Sequence, residues 1–329
     1  MRYYDFKLEG APNGGWSTQL ASGGYDFAAP LFELDISIGA ADQHGTLGSV
    51  TIWGVSIDTI KQSKNFYNKK FSLFAGMSPG LPLATAQASQ RGQLCSGTIA
   101  ATYSQWQGVD QNIGFTLTGS PGSPQTPPPF NNNNTVPPRN LVLNWLKGTP
   151  LGPALQQALQ TAFPGMKAVI NVSPKLVAPQ DNIHFSDTLA SFGAAIRELS
   201  KAILGPMPGY PGVSIVLNNG QVSAHDGTQS SSAKMLNFTD FIGQPSWIGP
   251  NLISAKVVMR GDLAVGNDIT LPTNTILNVG GGGLQGQGLT FSGTWKIMSL
   301  RHVGSSRAPD GNAWCTIVEA YNNTPAGAS

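Results

Sequence analysis

The density of chain breakers constrains this sequence more than any other feature. Its 329 residues include 40 glycines and 24 prolines, roughly one breaker for every five residues, spread from end to end. Proline removes a backbone donor and glycine loses much conformational freedom on ordering, so long helices are excluded over most of the chain. Between the breakers, short segments alternate apolar and polar residues at period two, the pattern of half-buried strands. The alternation is clean from Leu34, where Leu34, Ile36 and Ile38 share one face and Asp35 and Ser37 the other. Residues 49–53, 71–75, 97–106 and 112–117 also read as strands. One short helix interrupts them. Ser56 can cap it, Asp58 suits its first turn, and Ile57 and Ile60 follow at helical spacing. Residues 1–118 thus read as a small β-barrel or sandwich with an inserted helix.

Residues 119–140 mark a boundary. They hold seven prolines and five asparagines, including Pro127, Pro128 and Pro129 and then Asn131, Asn132, Asn133 and Asn134. Such a stretch lacks ladder donors and apolar payload, so an exposed loop or linker is expected. Residues 141–210 read as an α/β section. Leu155, Ala158, Leu159, Ala162 and Phe163 share a helix face closed by Pro164 and Gly165, and a strand follows at 167–172. The strongest helical signal runs over 186–204. There Ser186 is the expected N-cap, and Leu189, Phe192, Ile196, Leu199 and Ile203 recur at helical spacing before Gly205 and Pro206. Residues 211–329 return to β and suit a second small barrel-like domain. Strands at 213–217 and 221–224 flank a turn at Asn218, Asn219 and Gly220, with further strands at 252–260, 268–271, 293–302 and 313–321. The expected class is α+β and β-dominated, with an α/β section between two β modules.

Charged residues make up 11% of the chain, against about 25% in ordinary globular domains. A surface of Ser, Thr, Asn and Gln with little self-repulsion favours association, which suits a subunit of a larger assembly. The net charge is +2 and no basic cluster extends beyond Lys69 and Lys70, so no phosphate-gripping footprint is visible. Cys95 and Cys315 lie in separate apolar runs and read as buried free thiols. Residues 1–10 do not read as a secretory leader, and no apolar run approaches the length of a membrane span.

Motifs that carry chemistry fail on physical grounds. Gly76, Met77, Ser78, Pro79 and Gly80 match a Gly-X-Ser-X-Gly elbow, but Pro79 has no N–H to donate to an oxyanion, and Pro82 impairs the helix that should follow. Gly281, Gly283 and Gly286 match a dinucleotide fingerprint, yet a strand-like run follows where a helix N-terminus is required. The histidines His44, His184, His225 and His302 are too dispersed to make a local metal pair, and His225 and Asp226 are strand neighbours that point to opposite faces. The four glutamates, Glu9, Glu33, Glu198 and Glu319, offer no readable pair for glycan hydrolysis, and Glu198 suits a helix-surface pair with Lys201. Trp53, Trp106, Trp145, Trp295 and Trp314 sit in apolar runs and are expected in the core. No catalytic, cofactor-binding or metal-binding residue is assigned, no cofactor is expected, and the chain reads as a non-enzyme.

Three stretches carry a resemblance. The first runs from Thr51, Ile52, Trp53, Gly54 and Val55 to Lys70, then through Phe74 to Met77 and Gly80 to Leu83. The second runs from Asn144, Trp145, Leu146, Lys147 and Gly148 to Phe163, Pro164 and Gly165. The third runs from Phe241, Ile242, Gly243, Gln244 and Pro245 through Met259, Arg260, Gly261 and Asp262 to Arg301, His302 and Trp314. In that order they resemble the baseplate hub proteins of long, contractile-tailed phages. The resemblance implies two tube-type β-barrels, a homotrimer around a channel, and a place in the virion tail baseplate after assembly in the bacterial host cytoplasm. It also implies the tail tube, spike and tape-measure proteins and other baseplate proteins as partners, with DNA only in transit and no membrane insertion. The competing readings are another tail ring protein, such as a tube initiator or distal tail protein, a tail-associated cell-wall hydrolase, and a host-binding adhesin. Exposed loops reach neighbours, so Pro127, Pro128, Pro129, Asn132, Asn133, Gly281, Gly283 and Gly286 are the candidate interface positions.

Overall fold

The computed structural model describes residues 1–43, 47–78, 90–119, 140–205, 210–249, 251–272 and 293–322. The first third contains β1 (Arg2–Leu8), β2 (Gly15–Ser17), β3 (Leu31–Ile38), β4 (Gly48–Trp53), α1 (Ile57–Lys61), β5 (Lys70–Met77), β6 (Gly92–Gln107) and β7 (Asp110–Thr118). The middle contains β8 (Leu141–Trp145), α2 (Leu151–Ala162), β9 (Lys167–Asn171), β10 (Asn182–Ser186), α3 (Leu189–Leu204), β11 (Ser214–Asn218) and β12 (Gln221–His225). The last part contains β13 (Lys234–Met235), β14 (Ser246–Gly249), β15 (Leu252–Val258), β16 (Asp268–Leu271), β17 (Gly293–Ser305) and β18 (Trp314–Tyr321). The β-dominated class holds, with three α-helices among the described residues.

The sequence suggests two separate β modules at the two ends. The structure differs. Both ends contribute to a single 13-stranded sheet, whose path runs β14-β15-β18-β17-β3-β4-β7-β6-β5-β1-β2, with β16 on β17 and β13 on β16. Among the described residues this path does not close on itself. The joint is an antiparallel ladder from Leu300 opposite Ile38 to Ser305 opposite Glu33. Across it Arg301 donates to both Asp35 oxygens, Nε at 2.8 Å and Nη2 at 2.7 Å. Strand β3 buries Phe32, Leu34, Ile36 and Ile38, so its alternation begins one step earlier than the sequence shows cleanly. One apolar cluster unites the two ends, from Tyr4, Phe6, Phe32 and Phe115 to Ile253, Leu300, Trp314 and Val318.

A second core lies under β8, β9, β11 and β12. It draws on Leu155 and Leu159 of α2, Phe192 and Ile196 of α3, and Val213, Ile215, Val222 and Ala224 beyond position 210. Strand β11 serves both cores through its period of two: Ile215 belongs to the second and Val216 to the first. The two bodies are tied by Arg197 to Asp42 at 2.7 Å and by the Ala41 N–H donating to the Ile215 carbonyl. The β11–β12 turn is the two-residue kind, with Asn219 at φ 52° and Gly220 at φ 68°. That left-handed pair explains why an asparagine and a glycine occupy it.

Several local expectations hold. Ser56 caps α1 by accepting from the Thr59 N–H, Lys201 pairs with Glu198 at 3.2 Å, and both cysteines are buried and free. The start of the long helix is corrected. Ser186 is the last residue of β10, paired opposite Leu141, and α3 begins two residues later with Thr188 as N-cap. The Thr188 hydroxyl accepts from the Ser191 N–H at 3.2 Å. Cross-strand pairing with β8 claimed the residues that local capping chemistry alone would have given to the helix. Replacing Thr188 by alanine is therefore expected to lower unfolding free energy by about 1 kcal/mol. Ser186→Ala is expected to show no capping loss in the same urea titration, and equal losses would contradict the assignment.

Candidate functional site

The buried carboxylates among the described residues are engaged in structural bonds. Ser78 follows β5 with its N–H donating to the Met1 carbonyl, while Pro79, Gly80 and Pro82 lie outside the described residues. Each glutamate has its own neighbour. Glu9 pairs with Lys69, Glu33 accepts from the Trp53 indole at 2.8 Å, Glu198 pairs with Lys201, and Glu319 accepts from Ser299 at 2.6 Å. Asp226 accepts from the Ser173 and Thr228 N–H groups and from the Thr228 and Tyr210 hydroxyls. Asp268 accepts from Ser231 and pairs with buried Lys296 at 2.8 Å. No group of three metal-ligating side chains occurs among the described residues.

The most connected charge is Arg260. Its guanidinium grips Asp262 with two hydrogen bonds of 2.9 and 2.6 Å and reaches Asp240 at 3.0 Å. Burial works against this cation, and the two carboxylates more than offset it and hold its pKa above the usual value. Gln90 donates to Asp240 at 2.9 Å, and Gly92 packs backbone to backbone on Gly261, where an added Cβ would meet atoms at 2.5 Å. This cluster binds the β5–β6 region to the C-terminal strands. Gln90, Asp240 and Arg260 are buried, and the cluster serves cohesion.

The structure brings one serine and one histidine together that the sequence reading did not single out. Ser186 Oγ lies 3.0 Å from His184 Nε2, two residues apart on one face of β10. A nucleophile of this type needs a third group to orient the ring, and no carboxylate bonds to His184 among the described residues. His225 and His302 are held neutral. Burial lowers both to about 4, with Lys296 adding to the effect at His225. His302 Nδ1 lies 2.9 Å from the Thr316 hydroxyl inside the sheet. A histidine lowered in the folded state stabilises it fully above the unfolded value of 6.5, and that contribution drains as pH falls toward 4. The loss is on the order of 3 kcal/mol for His302 at about 1.4 kcal/mol per unit. Urea midpoints measured from pH 7 to pH 4 should fall less steeply for His302→Asn than for the parent, and an identical slope would exclude His302 as a source.

Among the described residues the features that these bonds do not explain are surfaces. Strand β10 has an inverted pattern. Its polar residues Asn182, His184 and Ser186 turn half-inward, while Ile183 is 61% exposed and Phe185 is 71% exposed. Opposite them on β8, Val142 pairs with Phe185 and Asn144 with Ile183, so Val142, Ile183 and Phe185 form one exposed apolar face. Beside it a cleft of about 530 Å³ lies between β10 and the start of α3, lined by Leu141, His184, Phe185, Asp187 and Ala195. Elsewhere on the molecule the β6–β7 hairpin is exposed from position 103 to 110, with Val109 at its tip. Trp106 is 62% exposed there, a correction to its expected place in the core, and Trp53 is half-buried. Trp145, Trp295 and Trp314 are buried as expected. The expected interface positions Pro127, Pro128, Pro129, Asn132, Asn133, Gly281, Gly283 and Gly286 lie outside the described residues.

The side chains of an exposed apolar face that no core covers should be dispensable for folding. Ile183→Ser with Phe185→Ser is expected to shift unfolding free energy by no more than about 0.5 kcal/mol, whereas Phe192→Ala should cost about 3–5 kcal/mol. Chemical denaturation of dilute protein checks both, and a large loss in the first would mean that the face is part of a core.

No protein-family model matches the chain, and no curated protein matches it. Solved structures do. The 43 kDa tail protein of prophage MuSo2 from Shewanella oneidensis superposes with a TM-score of 0.51 at 9% identity, covering 98% of this chain and 98% of that one. A tail protein from Neisseria meningitidis MC58 is similar at 10% identity, covering 98% of this chain and 96% of that chain, with a TM-score of 0.49. At such identity the likeness is one of fold.

Proposed function

We propose that the chain is a non-enzymatic structural subunit of a phage tail, acting as the baseplate hub where the tail tube meets the central spike. The observation that carries this reading is the end-to-end match of its fold to the Shewanella prophage tail protein, which takes in 98% of both chains. The molecule's own chemistry supports it. Its buried carboxylates are consumed by structural bonds, its charge content is low, and its exposed apolar residues include a group on the β8–β10 face and another on the β6–β7 arm. Large exposed apolar patches on a folded chain mark surfaces that other proteins cover.

In this reading three copies surround the tail axis. The two halves of the large sheet, on either side of the β3–β17 ladder, serve as the two tube-type β units of each copy and give six around the channel. The tail tube protein docks above, the spike below, and the tape-measure protein and then DNA pass through. The weakly charged surface suits that passage, because a basic lumen would retain DNA. The chain then resides in the virion baseplate and is assembled in the host cytoplasm.

Electron cryomicroscopy of the intact tail tests this. Three copies at the junction of tube and spike are expected. Six copies in a ring on the tube would assign the chain to a tube initiator or distal tail protein instead. Absence from the tail, or clearing of peptidoglycan by the purified chain in a zymogram, would reject the structural reading altogether.

A further inference from the structure

We propose that copies of this chain join head to tail, the β6–β7 arm of one copy seating Trp106 in the β10–α3 cleft of the next. The inference rests on the assembly reading above and supplies its contact residues.

The arm's tip offers free apolar surface. Residues 103–110 are exposed, the β7 residues Asn112, Ile113 and Gly114 opposite 103–105 are buried, and beyond the Trp53–Asn112 pair the hairpin continues as two strands alone. It carries Trp106 at 62% exposure, Tyr103 at 51% and Val109 at 96%. The indole Nε1 already donates to the Gly108 carbonyl at 2.9 Å, so the ring can be buried elsewhere with no donor left unpaired. Pairing places Trp106 and Gln111 together on one face, with Gln107 and Asp110 on the other. The arm's acidic group therefore lies off the Trp106 face.

The cleft offers this knob apolar surface and a charge. Phe185 and Ala195 line it together with His184, Ser186 and Asp187. Asp187 is exposed and, among the described residues, bonds only with Ser191 and has no cation partner. The complementary charge stands beside the arm. Ser104 donates to the Ser63 hydroxyl and Thr102 to the Ser63 carbonyl, which fixes the arm's base against residues 63–66. Lys64 in that turn is exposed and has no ion partner among the described residues. An unpaired cation beside the knob and an unpaired carboxylate beside the cleft are what a second copy of the same chain would bring together. Knob and cleft are different surfaces, so the contact is heterologous and repeats around an axis, closing a ring where the rotation permits. A buried tryptophan at the centre of such a contact is the residue type that dominates interface energetics.

Mass photometry and thiol cross-linking test the contact on the full chain. Trp106→Ala is expected to weaken assembly by at least about tenfold while leaving the melting curve unchanged, because the side chain is exposed. Asp187→Lys should weaken it as well, and Lys64→Glu combined with Asp187→Lys should recover most of the loss. Since Cys95 and Cys315 are buried, copies bearing Val109→Cys mixed with copies bearing Ser191→Cys should be joined by a short bismaleimide into a mixed dimer. If the parent assembles but Trp106→Ala assembles equally well, or the mixed pair fails to cross-link, the arm–cleft contact is wrong and the assembly reading stands. If the parent stays monomeric at all concentrations, both fail.

Discussion

The fold depends on the antiparallel ladder between β3 and β17. It joins residues more than 260 positions apart and is the link between the two halves in the strand order of the large sheet. Each side offers a strand with one fully buried face, Phe32 to Ile38 on β3 and Ile297, Leu300 and His302 on β17. A slip of one residue would turn the slipped strand's apolar face out, so burial fixes the register. The Arg301–Asp35 pair lies across the ladder on its outer face. It is half-exposed and therefore contributes orientation more than stability.

Polar cohesion is distributed in the same way. Arg260 with Asp240 and Asp262, and Lys296 with Asp268, are buried where the N-terminal strands or the second core meet the C-terminal strands. Breaking one partner of such a cluster leaves a charge in a low-dielectric setting, so these pairs fix which segments meet. The chain spends its few buried charges on holding distant segments together. With those carboxylates committed to cohesion, the functional reading turns to surfaces.

Those surfaces explain where sequence reasoning failed. Strand β10 is five residues long and runs straight into the cap of α3, and its alternation gives no sign that Ile183 and Phe185, apolar at the spacing of core residues, point outward. Trp106 failed for the same reason. An apolar residue in a strand signals a face that avoids water, and the signal is the same whether a core or another chain covers that face. The shifted start of α3 is a different failure. Ser186 is a good cap by type, and only pairing with β8, about 40 residues away, shows that it is already used.

The sequence by itself determined what depends on neighbours along the chain. The β-dominated class follows from breaker spacing and period-two alternation, the caps and turns at Ser56 and Asn219–Gly220 from local geometry, and the failure of the serine elbow from the missing N–H of Pro79. Only the tertiary structure decided that the two β-rich ends form one sheet rather than two, and that Ile215 and Val216 feed different cores. It also decided which apolar residues stay outside. The physical reason is range. Propensity and capping act within a few residues, whereas strand pairing and burial are settled by partners hundreds of positions away, and no local pattern names the partner.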